Sequence, residues 1–343
     1  MRLRAPDTCE SMRRAWDRDP VRLSISRPAI ARTVTRALYG AMADGEILVF
    51  DHRAVRQHRE RAARLGTAEF LFQEAAERLS ERLDDIKRFF PRVLVLGARH
   101  GGMSRVLRSR AGIDLLVEVD DAFGFLRRME PTLRVLAEAE ALPFGISTFD
   151  LVASPLALHW ANDLPGALLQ LRRCLRPDGL LLASVLGGET LDGLRRAFLE
   201  AELAVEGGVS PRVSPMADGR DLAGLLQRAG FALPVVDSDH ISVTYANALA
   251  LMRELRAMGE TNALRERRRG FTRRATLLRA AEVYSGLSSA PDGRVTARFE
   301  IVTLTAWAPH ESQPKPLRPG SATGRLADAL GTVEQPAGDK ARP

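Results

Sequence analysis

Val93-Leu94-Val95-Leu96-Gly97-Ala98-Arg99-His100-Gly101-Gly102 is an apolar run of strand length that breaks into a turn rich in small residues. Glycines at such a turn let backbone N–H groups approach a ligand at the start of a helix. Alone this is an ordinary tight turn, and the segments after it give it meaning. Leu115-Leu116-Val117-Glu118-Val119-Asp120 brings an acid to the end of a second strand about twenty residues on, placed to accept hydrogen bonds from ribose hydroxyls. Val135 to Phe144 reads as a third short strand whose loop offers the Glu138 carboxylate beside Ala139, as an adenine amino group and ring face require. Phe149-Asp150-Leu151-Val152-Ala153-Ser154 then runs into Leu158-His159-Trp160. Asn162 or Asp163 caps a helix with Pro165 in its first turn, and Arg176-Pro177-Asp178-Gly179 ends it before the strand Leu180 to Val185. Strand, helix, turn, strand is a βαβ unit, so the sheet is expected to be doubly wound α/β.

The flanks extend that plan. Arg56 to Arg88 reads as helices, with Phe70, Leu71, Ala75, Leu79, Leu83 and Ile86 near a helical period. "DLAGLLQRAGF" supplies a later helix closed by Gly230, and "PVVDSDHISVTY" and "RVTARFEIVTLTAW" are the last two strands. Between those strands lies a mostly helical insertion from about Ala246 to Gly293.

Composition bounds the function. The 343 residues, 45% apolar and 27% charged, describe a globular protein able to bury a full α/β core. Of the formal charge of +7, Met1 to Ala41 carries a net of +5, from nine arginines and four acids. The remainder is nearly neutral, which argues against nucleic acid as a partner. Only Lys87, Lys315 and Lys340 are lysines among 50 basic residues, a bias that fits a GC-rich bacterial genome. Cys9 and Cys174 form no disulfide or metal pattern and fit a reducing cytoplasm. No apolar run reaches transmembrane length, so any membrane association is expected to be peripheral, at the inner face. The first 41 residues are expected to be disordered or untranslated, with Met42 the start of the folded region. The alternative is a transit peptide, because Pro20 to Ala43 has four arginines and no acid.

The order of these segments, with "AEAEALPF", "FDLVASPLALHW" and "LRPDGLLLASVLGG", resembles the class I S-adenosylmethionine-dependent methyltransferases. Dehydrogenases share the first turn but lack the LPF and RPDG segments at these positions. Beyond that half, "ILVFDHRAVRQHRERAA", "GGETLDGLRRAFLEAE", "GGVSPRVSP", "LMRELRAMGETNAL" and "WAPHESQPKPLRPGSA" resemble the complex I assembly factor 5 family, from Ile47 to Ala322. The resemblance implies a Rossmann-like class I methyltransferase fold: a seven-stranded, mostly parallel sheet ending in an antiparallel pair, with a helical N-terminal extension and a helical insertion before the last strand. It divides the chain into residues 1–41, a methyltransferase-like domain at 42–310 with a helical lid from about His52 to Phe90, and a Pro-rich tail at 311–343. The "HESQ" segment from His310 is expected to close over the site. The implied cofactor is S-adenosylmethionine, held by Gly97, Ala98, Arg99, Gly101, Asp120, Glu138, Ala139 and Ser154. The implied activity is hydroxylation of an arginine on the small quinone-site subunit of respiratory complex I, or on its assembly intermediate.

The first turn departs from the methyltransferase pattern. Val95 stands where an acid commonly holds the cofactor's ammonium, and Arg99 and His100 replace small residues beside the methionine tail. One lost charge-assisted hydrogen bond costs about 1.5 to 3 kcal/mol, so the methionine end is weakened while Asp120 and Glu138 retain the nucleoside end. His159 is the candidate catalytic base in the loop after the fourth strand, although a histidine beside a tryptophan is more often a packed residue. Tyr245 and Asp239 are weaker candidates. The six histidines show no metal spacing, and no G-x-S-x-G nucleophile motif is present. Oxygenating an arginine carbon needs an oxidant, usually through a metal or flavin, and the sequence displays neither. A true methyltransferase and a non-catalytic assembly chaperone therefore stand as alternatives. The basic run Arg265, Arg267, Arg268, Arg269, Arg273, Arg274 and Arg279 reads either as a solvated helix face or as a docking surface for an acidic partner or anionic membrane.

Overall fold

A computed structural model describes residues 48–66, 68–128, 133–314, 321, 324 and 326–333. Its strands are β1 (Arg92–Leu96), β2 (Leu115–Asp120), β3 (Leu133–Leu136), β4 (Phe149–Pro155), β5 (Leu175–Leu186), β6 (Ala232–Tyr245) and β7 (Val295–Trp307). The helices of the same unit are α1 (His52–Leu65), α2 (Phe70–Asp84), α3 (Gly102–Arg108), α4 (Phe123–Arg128), α5 (Leu164–Cys174), α6 (Asp192–Glu206), α7 (Gly219–Arg228), α8 (Ala248–Met258) and α9 (Arg274–Ser288). The strands form one seven-stranded sheet in the order β3-β2-β1-β4-β5-β7-β6. The first five pair in parallel, and β7 runs antiparallel to both β5 and β6. This is the Rossmann-like class I methyltransferase architecture that the sequence implied.

Alternate residues of each strand enter opposite layers, as the two-residue period requires. Val93, Val95, Leu151, Ala153, Leu180 and Leu182 meet Ala76, Leu79 and Leu83 of α2 and Met103 and Leu107 of α3. Leu94, Leu96, Val117, Val119, Val152 and Leu181 meet Leu168 and Leu171 of α5 and Leu222 and Leu226 of α7 on the other face. Both faces are covered, which is why β4 and β5 read as unbroken apolar runs rather than alternating ones.

Local signals set most boundaries. The Asp51 side chain accepts from the Ala54 N–H at 3.1 Å to start α1, and Gly66, at φ +64°, ends it. Of the two capping candidates before α5, Asp163 caps, taking the Gly166 N–H at 2.8 Å, while Asn162 accepts from the Phe50 N–H at 2.7 Å. Two boundaries differ from the sequence reading. The third strand is Leu133–Leu136, so Glu138 lies wholly in the loop beyond it. The fifth begins at Leu175, before Arg176–Gly179, because Leu175 already pairs with Phe149 across a register irregularity in β4.

The insertion between β6 and β7 contains α8 and α9. Leu251, Leu255, Met258 and Tyr284 pack with Leu71 and Phe72 of α2 and Phe198 of α6, so the insertion shares a core with the sheet-covering helices. Most of the basic run lies in the irregular segment before α9 rather than on a helix face. Part of its charge is met internally: Arg267 pairs with Asp51 at 3.0 Å, and Arg268 and Arg273 converge on Glu206 at 3.1 and 3.4 Å. Residues 310–343 form a second unit, whose described part holds the short helix α10 (Leu326–Leu330). The Arg-rich first segment, Met42 and most of the Pro-rich tail lie outside the described residues.

Candidate functional site at the carboxyl ends of the central strands

The site grows from the first residue past β1. Gly97 has φ +82°, and a Cβ there would stand 2.5 Å from the Ala157 Cβ, so conformation and space both require glycine. Gly97→Ala is expected to cost about 2 kcal/mol or more, from left-handed strain plus overpacking. Urea unfolding would read this as a lowered midpoint with an unchanged slope, and an unmoved midpoint would contradict it.

Arg99 continues the turn at φ +46°, an uncommon conformation for a side-chain-bearing residue. Interactions on every side hold it there. Its backbone N–H donates to Asp120 Oδ2 at 3.1 Å, Nη1 to the Met258 carbonyl at 3.0 Å and Nη2 to Glu260 Oε1 at 2.6 Å. Its guanidinium also lies 4.2 Å from the centre of the Phe72 ring.

Asp120, at the end of β2, is 1% exposed. Besides the Arg99 N–H it accepts the Ala122 N–H at 2.9 Å and the Arg59 Nη2 on both oxygens, at 2.9 and 2.8 Å. Burial pushes its carboxyl up, but the guanidinium charges of Arg59 and Arg99 outweigh that and hold it below the usual range. The neighbouring Asp121, 2.7 Å from Arg59 Nε, is raised, mainly by burial. Arg59, from α1, thus plugs the end of β2 with a buried ion pair.

An open cleft, with about 440 Å³ of space counted out into solvent, lies beside this pair. Leu96, Ala139, Ala157 and Trp160 give it apolar walls, and Asp120, Glu138 and Glu140 give it acids. Glu138 pairs with Arg56 and lies 3.6 Å from His52 Nδ1. The hydrogen bond to Glu138 raises the His52 pKa despite partial burial. A second, narrower cleft, with about 290 Å³ of space counted out into open solvent, shares Gly97 with the first and is lined by Glu69, Phe72, Gln73, Ala98, Arg99, His100 and Pro155 among others.

Behind both, Glu260 reaches in from the segment after α8. It accepts from Trp160 Nε1 at 3.0 Å and His159 Nε2 at 3.1 Å as well as from Arg99. Burial opposes its charge, yet Arg99 and His159 pull its pKa down to about 2. An ionised carboxylate only accepts hydrogen bonds, so the His159 Nε2 carries the hydrogen. The Nδ1 of His159 is buried with no hydrogen-bond partner among the described residues.

Gly97, Asp120, Glu138 and Ala139 therefore line the first cavity, and Gly97, Ala98 and Arg99 the second. Gly101 sits at φ +76° as the N-cap of α3. Ser154 is inside the sheet, in register with Ala183, and lines neither cavity. His159 faces Glu260 and also lines neither. Tyr245 belongs to the core of the insertion, and Asp239 is paired with Arg78 at 3.0 Å. Sequence reasoning missed Arg59 and Glu260, whose partners lie 61 and 161 residues away. Both lie in segments that carry the family resemblance, but nothing local assigns either a role. Among the described residues no His, Cys, Asp and Glu cluster could hold a metal ion, and no helix is long and apolar enough to cross a membrane.

Residues 94–183 match the model of a methyltransferase domain. The chain is 39% identical over 287 residues to the mitochondrial arginine-hydroxylase NDUFAF5 of Danio rerio, covering 82% of this chain and 89% of that one. Its identity to the Homo sapiens protein of the same name is 38% over 312 residues, covering 88% and 90%. It is also 38% identical over 274 residues to the malonyl-[acyl-carrier protein] O-methyltransferase of Halorhodospira halophila, covering 78% and 91%. With a methyltransferase fold, and a likeness to the NDUFAF5 proteins that runs along most of both chains, the protein belongs to the NDUFAF5 arginine-hydroxylase family.

Proposed function

We propose that the protein binds S-adenosylmethionine in the two joined cavities and hydroxylates an arginine on the small quinone-site subunit of respiratory complex I, or on its assembly intermediate. The observation that carries the reaction is the 39% identity to an arginine-hydroxylase across 82% of the chain. The residues fit the cofactor's nucleoside half. Asp120 is a buried acceptor at the end of β2, Glu138 follows β3, and Leu96, Ala139 and Ala157 supply apolar walls for a ring. Arg59 occupies both Asp120 oxygens, so ribose hydroxyls reach the carboxylate only if Arg59 yields part of its pairing. The bound cofactor would supply a sulfonium centre beside the glycine turn. Hydroxylation exchanges a C–H for a C–OH bond and takes its oxygen from an external oxidant, since no side chain here activates dioxygen. The contribution of Asp120, Trp160 and Glu260 is to bind, orient and shield.

A second reading, methyl transfer to a carboxylate, draws on the 38% identity to a malonyl-[acyl-carrier protein] O-methyltransferase. One experiment separates the two. The quinone-site subunit is purified from cells with and without this gene, and its peptides are weighed by mass spectrometry. An arginine peptide heavier by one oxygen only when the gene is present is the expected result. An identical peptide in both strains would overturn the hydroxylase reading, and turnover of S-adenosylmethionine by the purified protein would then favour the second.

A further inference from the structure

The missing acid at Val95 poses a chemical question that the second cavity answers. Val95 is fully buried in the sheet, so β1 offers nothing to an ammonium group. Across the turn, Glu69 stands at the N-cap of α2, yet its side chain makes no capping hydrogen bond. Its carboxylate is thus not spent on the first-turn N–H groups. Instead it leans over the cavity, with Oε1 3.0 Å from His100 Nδ1, and stays 44% exposed. One turn along α2, Gln73 also lines this cavity, with its amide nitrogen bonded to Glu77 and its oxygen near Gly102. A Cβ on Gly102 would meet Gln73 Oε1 at 2.9 Å. The same cavity is lined by Arg99, 2% exposed, whose Nε has no hydrogen-bond partner among the described residues. Acceptors and a buried guanidinium lining one cavity are the two halves of a receptor for a zwitterion.

We propose that this cavity takes the α-amino acid end of the cofactor, with Glu69 and the Gln73 oxygen holding its ammonium and Arg99 facing its carboxylate. The proposal rests on the S-adenosylmethionine reading above. It relocates the ammonium partner from β1 to the start of α2, the position that Val95 leaves vacant being filled from the neighbouring layer. It also gives a role to the unusual turn residues: Arg99, out of place beside a methionine tail in the usual pattern, becomes the anion partner of that tail.

Calorimetric titration with two ligands tests it. S-adenosylhomocysteine carries the amino acid end, and methylthioadenosine has the same nucleoside without it. Glu69→Gln is expected to weaken S-adenosylhomocysteine binding about ten- to a hundredfold, the range for one charge-assisted hydrogen bond. Methylthioadenosine affinity is expected to stay unchanged, which also reports that the variant is folded. Glu69→Asp, which keeps the charge, is expected to recover part of the loss. Equal S-adenosylhomocysteine affinity in wild type and Glu69→Gln would overturn the proposal, as would a parallel loss for both ligands. If the wild type binds methylthioadenosine but not S-adenosylhomocysteine, the amino acid site falls while the nucleoside site stands. If it binds neither, the cofactor reading falls and takes this proposal with it.

Discussion

Replacing Glu260 with alanine is expected to lower stability by about 3 to 5 kcal/mol, because it strands the buried Arg99 guanidinium and takes the acceptor from two buried ring N–H groups. For a chain of this size that is a fall of roughly 10 °C in the melting midpoint. A thermal scan of the purified variant reads it directly, and a midpoint within a degree or so of wild type would refute the assignment of this carboxylate as the keystone of the cluster. The pH dependence gives a second check. The folded-state pKa of Glu260 is about 2, below its ordinary 4.5, so its contribution is complete above the ordinary value and is lost as pH falls through the folded one. That difference corresponds to about 3 kcal/mol at neutral pH. The gap in stability between wild type and Glu260→Gln should therefore narrow as pH drops from about 5 towards 2, where the wild-type carboxylate too becomes neutral. A gap independent of pH over that window would mean that the carboxylate's charge is not what holds the cluster.

Asp120→Ala is expected to abolish nucleoside binding. Its acceptor positions are filled here by Arg59, Arg99 and Ala122, so ribose hydroxyls take the places that Arg59 yields, and two of them held by a carboxylate are together worth about 3 kcal/mol, a loss of roughly a hundredfold in affinity. Titration with methylthioadenosine checks it, because that ligand engages the nucleoside cavity alone. Retained affinity would move the ribose elsewhere. The same substitution leaves Arg59 with Asp121 as its partner, so a stability loss of a few kcal/mol accompanies the binding loss. This matters for the assembly question. Complex I assembly that persists with Asp120→Ala at unchanged protein level favours a scaffolding role over catalysis. Assembly that fails only because the variant is degraded says nothing of chemistry, and the folded fraction must be measured alongside.

The parts of the site that were legible are those whose determinants lie close together in the chain. Gly97 and Asp120 stand out because strand period and turn chemistry act over a few residues, and the cavity-lining Glu138 follows from its strand in the same way. The ionic cluster was not legible for the opposite reason. A buried arginine and a surface arginine look alike in a sequence with so many, and only the packing of α1 over β2 tells Arg59 from its neighbours. His159 was visible as a candidate, but its partner arrives 101 residues later in a segment that shows only charge and helical period. The partners of the basic run were hidden for a related reason: its residues are close in sequence, yet Asp51 and Glu206, which pair with Arg267, Arg268 and Arg273, come from distant elements.

The strand order has a consequence for how the chain is made. Strand β7 lies between β5 and β6 although it is synthesised after both. While the ribosome is still extending the insertion, β5 and β6 each present an edge with no neighbour, and the sheet cannot close until Val295–Trp307 has emerged and threaded between them. Open edges of that kind are sticky towards other chains. Glu260 precedes this last strand, in the insertion whose core residues pack against Val295, Ala297 and Phe299 of β7. The lining of both cavities has emerged by Ala161, while Glu260, behind them, and the closure of the open edges by β7 come late in synthesis.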